Sequence, residues 1–198
     1  SAAFYQLWRQ LSADAHDCHG DHAEHFKTVK IHSNEVKGVL NMRIVVTGGG
    51  TGGHIYPALA VIEAFQKTDP DLQVLYIGSK RGLEKDIVEK AGFHFVGLDV
   101  KGFQKKTPGD VLETTYKAVG ALIKAYGMIK KFNPDLVFGT GGYVSGPVVL
   151  AGALSGRFTA VHEQNVHPGK TIRMLEKRVK RTYISFSETL SSLKHPEK

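Results

Sequence analysis

The sequence predicts an α/β fold: a Rossmann-like parallel sheet with helices on both faces. Three observations favour this fold class. Short apolar runs alternate with segments of helical periodicity from Met42 onward, which is typical of βαβ crossovers. Two predicted strands are followed directly by glycine-rich segments, and a third by a run of polar residues. Because ligands bind at the carboxyl ends of parallel strands, we expect these three segments to form the functional site.

Each predicted element has its own local signal. The first strand is a Val- and Ile-rich run bounded by glycines, and Pro57 suits the first turn of the next helix. Gly92 ends the second helix, and the third carries apolar residues at helical spacing. The predicted strands span 43–47, 74–77, 93–98, 136–138, 159–162 and 182–185, and the predicted helices 55–67, 83–91, 110–132, 144–154 and 171–177.

Length and composition restrict the class of protein. The 198 residues, 41% of them hydrophobic, suffice for a folded core and exclude an extended disordered chain. No stretch reaches the roughly 18 apolar residues of a membrane span, and the first residues lack the apolar segment of a secretory leader. Cys18 is the single cysteine, so we expect no disulfide framework and a reducing, cytoplasmic setting. The net charge of +7 predicts an acidic partner: nucleic acid, anionic lipid or a phosphorylated ligand.

The first 41 residues differ from the rest in composition. They hold five acidic and four basic residues and five of the ten histidines, so the positive charge belongs to the remainder. We therefore expect 1–41 to be an appendage of unknown origin and 42–198 to be the domain. Histidines recur every third residue within Asp14–Phe26, but no surrounding fold is apparent. We predict that this stretch is not a specific metal site.

The first glycine-rich segment, 48–54, lies between the first strand and the first helix. Glycines allow a ligand to approach the backbone closely, and a helix N-terminus offers free N–H groups to phosphate. The segment is not a nucleotide P-loop, because His54 and Ile55 stand where Lys and Ser or Thr are needed. Its spacing also fits a dinucleotide fingerprint, but the second strand ends without an acid. Arg81 could accept NADP there, so an NADP-dependent oxidoreductase stays as an alternative.

The second glycine-rich segment, 139–147, repeats the first. It again follows an apolar strand and opens a helix, so two helix N-termini on one sheet edge could hold a phosphorylated ligand or a diphosphate. An internal duplication kept only for packing is the alternative.

The third segment is a polar run, His162–Asn165, after another apolar strand. Polar side chains at a strand end are placed to hydrogen-bond a sugar or a base, although the run could instead be a loop that caps the next helix. A metal site of His162 and Glu163 is not expected, because adjacent strand residues point to opposite faces.

Together, the motifs at 49–60, 139–147 and 162–165 closely resemble the MurG family of bacterial glycosyltransferases. The resemblance runs from Met42 to the end of the chain. It implies the N-terminal, acceptor-binding domain of a GT-B enzyme that needs no cofactor or metal. Such an enzyme moves GlcNAc from UDP-GlcNAc, with inversion, to the C4 hydroxyl of the muramyl sugar of lipid I, making lipid II for peptidoglycan. The donor-binding C-terminal domain is absent, so we expect this chain alone to be inactive; a non-catalytic binding domain is the alternative.

The resemblance also implies roles for individual residues. His54 matches the candidate base for the acceptor hydroxyl, with Glu163 as the rival base. A histidine at a helix N-terminus is favoured in its neutral form, because the dipole disfavours a cation there. The lipid I diphosphate is expected near the glycine-rich segments. The implied substrate-binding residues are Thr51, Gly52, Gly53 and Asn165, which match positions used for UDP-GlcNAc, together with Gly141, Gly142, Tyr143 and Glu163.

A lipid substrate implies work at a membrane surface. We expect the domain to lie peripherally on the cytoplasmic face of the bacterial plasma membrane, with no nucleic-acid partner. The predicted contact is the loop carrying Lys101, Phe103, Lys105 and Lys106, together with part of the following helix. Basic residues near anionic headgroups contribute roughly 1 kcal/mol each. A disordered connection and a solvated helix face are the alternatives for these two parts.

Overall fold

The computed structural model describes residues 41–102 and 107–197, and it contains one six-stranded parallel sheet. The strands are β1 (Arg43–Thr47), β2 (Gln73–Ser79), β3 (His94–Leu98), β4 (Leu136–Gly139), β5 (Phe158–Glu163) and β6 (Arg181–Ile184). Their order in the sheet is β3-β2-β1-β4-β5-β6. The first three strands are added towards one edge of the sheet and the last three towards the other, so the strand order switches between β1 and β4. A crevice for a ligand is expected outside the carboxyl ends of these two strands.

Helices cover both faces of the sheet. They are α1 (Gly52–Thr68), α2 (Glu84–Lys90), α3 (Pro108–Phe132), α4 (Ser145–Leu154) and α5 (Lys170–Leu175). One apolar core lies between the sheet and the first two helices, with Ile44, Ile62 and Tyr76 fully buried. The second core lies between the sheet and the other three helices, around Val137 and Ile129. The predicted fold class is confirmed.

The element boundaries differ from the prediction mainly at two places. Helix α1 begins at Gly52, three residues before the predicted start, so the glycine-rich segment supplies its first turn. A 3₁₀-helix over Ser187–Ser192 was not predicted, because six polar-rich residues carry no apolar period. Helix α3 starts with a capping box, in which Thr107 and Asp110 exchange side-chain-to-backbone hydrogen bonds.

Two features bear on the wider expectations for the chain. Over the described ranges, no helix is both long and apolar enough to cross a membrane. The histidine-rich stretch Asp14–Phe26 lies outside the described residues. Just before β1, the backbone N–H of Met42 donates to the buried Asp69 carboxylate at 2.8 Å.

Candidate functional site

Two glycine loops meet at the carboxyl ends of β1 and β4. The first glycine loop is residues 48–53, and the second is residues 139–143. The N–H of Gly49 donates to the carbonyl of Gly141 at 3.4 Å. Gly142 has a φ of +82°, and a Cβ there would lie 2.2 Å from the Gly49 carbonyl oxygen. Glycine is thus required at Gly142 both for its backbone conformation and for the contact between the loops.

His54 is held between the two loops. Its Nδ1 lies 2.9 Å from the Thr140 carbonyl oxygen, and the Thr140 hydroxyl donates to the His54 carbonyl at 2.6 Å. The imidazole packs on Gly141, where a Cβ would come within 2.8 Å of the ring. Because a carbonyl can only accept, Nδ1 carries the proton in this contact. In the neutral ring the lone pair is therefore on Nε2, where it can accept a proton from a ligand.

The start of α1 presents free donors beside His54. Thr51 is the N-cap, but its side chain makes no capping hydrogen bond. The N–H groups of Thr51, Gly52 and Gly53 have no acceptor among the described residues, whereas His54 N–H already donates to the Thr51 carbonyl at 3.1 Å. Free amides at the positive end of a 17-residue helix favour an anion such as a phosphate group.

The polar run at the end of β5 is split between buried and exposed side chains. Glu163 is buried, and its two oxygens accept from Asn165 N–H and Nδ2 at 2.9 Å and from Gly169 N–H at 2.7 Å. Asn165 is exposed, and it contacts Glu163 through its side-chain nitrogen rather than through its side-chain oxygen. Gln164 Nε2 donates to the Thr140 carbonyl at 2.6 Å, the same oxygen that faces His54. Glu163 therefore orients Asn165, while Gln164 connects the run to the glycine loops.

His162 faces away from this cluster. Its Nε2 lies 3.0 Å from the hydroxyl of Ser185, which follows the neighbouring strand β6. Burial lowers the pKa of His162, and the charge of Glu163 opposes that shift. In the part of the chain that the structure describes, no group of three or more His, Cys, Asp or Glu side chains could hold a metal ion.

Tyr143 and the predicted membrane loop lie beside the glycine loops. The Tyr143 ring is exposed and packs over Gly102, where a Cβ would approach it to 2.3 Å. Lys101 is not a free cation, because it is paired with Glu113 at 2.8 Å and with Asp110 at 3.5 Å. Hydrogen bonds from Lys101 and Lys117 lower the pKa of Glu113 to about 2.

Three residues of the predicted membrane contact, Phe103, Lys105 and Lys106, lie outside the described residues.

Sequence reasoning missed one residue of this region, Glu84. It begins α2 and is fully buried beneath the first glycine loop, where its carboxylate accepts from Gly50 N–H. A glutamate among charged neighbours, as in 81–86, is typical of an exposed helix start. The signal that could have found it is the glycines at 49, 78 and 82, each of which has Glu84 within 3.3 Å of where its Cβ would lie.

The fold and this site define a class of protein, the Rossmann-like domains with a ligand crevice at the carboxyl ends of a parallel sheet. The profile of the glycosyltransferase family 28 N-terminal domain matches residues 44–184, and the chain belongs to this family. The match argues against the oxidoreductase alternative.

Named relatives make the assignment more specific. The chain is 44% identical over 157 residues to the "UDP-N-acetylglucosamine--N-acetylmuramyl-(pentapeptide) pyrophosphoryl-undecaprenol N-acetylglucosamine transferase" of Thermoanaerobacter sp. (strain X514), covering 79% of this chain and 43% of the relative. It is 48% identical over 145 residues to the enzyme of the same name from Lactococcus lactis subsp. lactis, covering 73% and 41%. The chain thus spans less than half the length of these curated relatives.

Solved structures agree. The crystal structure of Acinetobacter baumannii MurG superposes with a TM-score of 0.66 at 31% identity, covering 75% of this chain and 42% of that one. A putative UDP-N-acetylglucosamine 2-epimerase from Listeria monocytogenes reaches a TM-score of 0.58 at 14% identity, covering 79% and 42%, and shares the fold alone. The predicted resemblance to the MurG family is confirmed.

Proposed function

We propose that this chain is the acceptor-binding half of an inverting glycosyltransferase. The reaction transfers GlcNAc from UDP-GlcNAc to the C4 hydroxyl of the muramyl sugar of lipid I and produces lipid II. The observation that carries the proposal is the position of His54, fixed by Thr140 between two contacting glycine loops. The names of the relatives supply the substrates.

In this proposal His54 is the base. Nε2 takes the proton of the acceptor hydroxyl as its oxygen attacks the anomeric carbon of GlcNAc. The bond from that carbon to the diphosphate oxygen breaks, UDP leaves, and the configuration inverts. General base catalysis of this kind contributes typically about 10²–10⁴-fold in rate. Glu163 is disfavoured as the base, because it is buried with both oxygens already accepting hydrogen bonds.

The remaining site residues bind substrate or position the residues that do so in this proposal. The free amides of Thr51, Gly52 and Gly53 and the positive end of α1 face a diphosphate, and Asn165 presents its side chain to the sugar nucleotide. Gly141 and Gly142 give the second glycine loop its shape, and Tyr143 lies exposed at the rim of the site. Glu163 acts through Asn165.

The test is transfer of labelled GlcNAc from UDP-GlcNAc to a soluble lipid I analogue. Catalysis requires both substrates in one geometry, so we expect no turnover by the chain alone. Adding the C-terminal half of the Thermoanaerobacter relative, produced separately, should restore transfer. The wild-type chain alone should still bind the analogue. If the reconstituted mixture is inactive and the chain binds no analogue, the proposed function is wrong.

We propose further that the domain contacts the cytoplasmic face of the plasma membrane through helix α3. Leu112, Tyr116, Val119 and Ile123 recur at helical spacing, and each is at least half exposed. In the sequence, Lys105 and Lys106 come directly before the start of this helix. Apolar side chains flanked by lysines suit the boundary between headgroups and acyl chains. Lys101 is not assigned to lipid binding in this proposal, since it is already paired with Glu113 and Asp110.

Vesicle sedimentation at low salt tests this membrane proposal. The wild-type chain should bind vesicles with anionic lipid more strongly than neutral vesicles. The double variant Leu112→Ser/Tyr116→Ser and the double variant Lys105→Glu/Lys106→Glu should both release it. Leu83→Ser is the matched control, because Leu83 has a similar exposure but lies just before α2, as its N-cap residue. Release by the control alone, or binding unchanged in both double variants, would contradict the proposal.

A further inference from the structure

A buried carboxylate lies directly beneath the first glycine loop, and the proposed reaction does not use it. Glu84 is completely buried, which is rare for a glutamate. Its Oε1 accepts from the N–H of Gly50 at 3.1 Å and from the N–H of Ser79 at 3.2 Å. Its Oε2 has no hydrogen-bond partner among the described residues. The side chain is therefore held by backbone donors, one of which belongs to the loop.

The surroundings of Glu84 are shaped to admit it. A Cβ at Gly49 would lie 2.0 Å from Oε1, and a Cβ at Gly82 would lie 1.4 Å from Oε2. Next to the carboxylate, the Tyr76 hydroxyl donates to the Gly48 carbonyl at 2.7 Å. Burial, and then the charge of Glu84, raise the pKa of Tyr76, so the phenol keeps the proton that it donates. Two buried side chains thus fix the loop from below, at its first and third residues.

We propose that Glu84 is a positioning residue for the anion-binding loop. By holding the Gly50 N–H inward, it leaves the N–H groups of Thr51, Gly52 and Gly53 facing outward for a diphosphate. Gly50 has a φ of +88°, and a Cβ there would meet nothing within 4 Å, so no side-chain packing restrains this residue. Ordering such a residue costs conformational entropy, and a loop already ordered in the free protein binds its ligand more tightly. The inference rests on the proposed function, because it takes the diphosphate as the ligand.

The experiment uses the 198-residue chain, isotopically labelled, with inorganic diphosphate as the probe. Glu84→Ala removes the carboxylate acceptor. Glu84→Asp shortens the side chain, so that its carboxylate can no longer accept from the N–H groups of both Gly50 and Ser79. Glu84→Gln keeps an oxygen of the same reach. Glu89→Ala is the matched control, since Glu89 lies exposed on the same helix. Amide hydrogen exchange reports on Gly50, and amide shifts of Thr51, Gly52 and Gly53 report on diphosphate binding.

We expect Gly50 exchange to accelerate by about 10- to 100-fold in the Ala and Asp variants, while the amides of β1 and β4 stay protected. Diphosphate affinity should fall by about 10-fold in the same two variants. Glu84→Gln and Glu89→Ala should stay within about threefold of the wild type, because each keeps an acceptor for Gly50. If Glu84→Ala does not fold, the Asp variant gives the comparison.

Each other outcome has a definite meaning. Unchanged Gly50 exchange in both loss variants would overturn the inference, and so would faster exchange with unchanged affinity. The wild-type chain could bind no diphosphate while Glu84→Ala still accelerates the amide exchange of Gly50. Glu84 would then stabilise the fold without contributing to ligand binding. That result would refute the inference together with the diphosphate site. Wild-type binding with no effect of Glu84 would refute the inference and leave the proposed function standing.

Discussion

Gly142→Ala separates two reasons for glycine in the second glycine loop. At a φ of +82° an alanine costs about 1–2 kcal/mol relative to a right-handed backbone. Its Cβ would also lie 2.2 Å from the Gly49 carbonyl oxygen and 3.0 Å from the carbonyl carbon. Those atoms are backbone and cannot rotate aside, so the loops must separate, at about 1–3 kcal/mol for overpacking. We therefore expect the free energy of unfolding to fall by about 2–5 kcal/mol.

Urea denaturation measures this loss, and Gly156→Ala is its control. Gly156 also has a positive φ, +71°, but a Cβ there would meet nothing within 4 Å. The control should lose only the conformational part, about 1–2 kcal/mol. Equal losses in the two variants would show that the contact between Gly142 and Gly49 does not hold the loops together, and would refute the reasoning. The ring protons of His54 should also have changed NMR chemical shifts in the Gly142 variant.

Three further predictions follow from other contacts. In the reconstituted transferase, His54→Gln can still donate to the Thr140 carbonyl but has no base, so the rate should fall by about 10²–10⁴-fold with analogue binding unchanged; an unchanged rate would exclude His54 as the base. Because the pKa of His162 is lowered from 6.5 in the folded chain, the unfolded chain binds its proton more readily, and stability should decrease as the pH falls below about 6.5. Thermal unfolding of His162→Gln should lose this part of the pH dependence, and equal slopes would contradict the assignment. Thr107→Ala should cost about 1 kcal/mol in urea denaturation through loss of the capping box with Asp110, whereas unchanged stability would show that the box contributes nothing.

The fold was largely predictable because its signals are local. Runs of Val and Ile such as Arg43–Thr47 and the helical period of α3 are visible in the sequence alone. The start of α1 was misplaced, since Gly52 and Gly53 are poor helix formers in isolation. In the structure this first turn is contacted by Thr140, distant in sequence, whose hydroxyl donates to the His54 carbonyl. Such a tertiary contact leaves no local pattern.

The site was predictable in its motifs but not in its hydrogen bonds. The glycine spacing placed both loops on one sheet edge, and their contact follows from the pairing of β1 with β4. The different environments of Glu163 and Asn165, and the ion pairs of Lys101, depend on which atoms the loops bring together. Burial of Glu84 depends on the absence of a side chain at Gly49, 35 residues earlier. No pattern within one segment reports these pairings.

The contact between His54 and Thr140 also has a consequence for how the protein folds. The two residues are 86 positions apart, and the bond from Ser145 to Thr47 spans 98. Closing so large a loop carries an entropic cost that local helices do not have, and non-local pairings of this kind slow folding. We therefore expect the orientation of His54 to form with the pairing of β1 and β4, after much of the helical structure. A nascent chain that ends before β4 would carry the first glycine loop but would lack the carbonyl that orients His54.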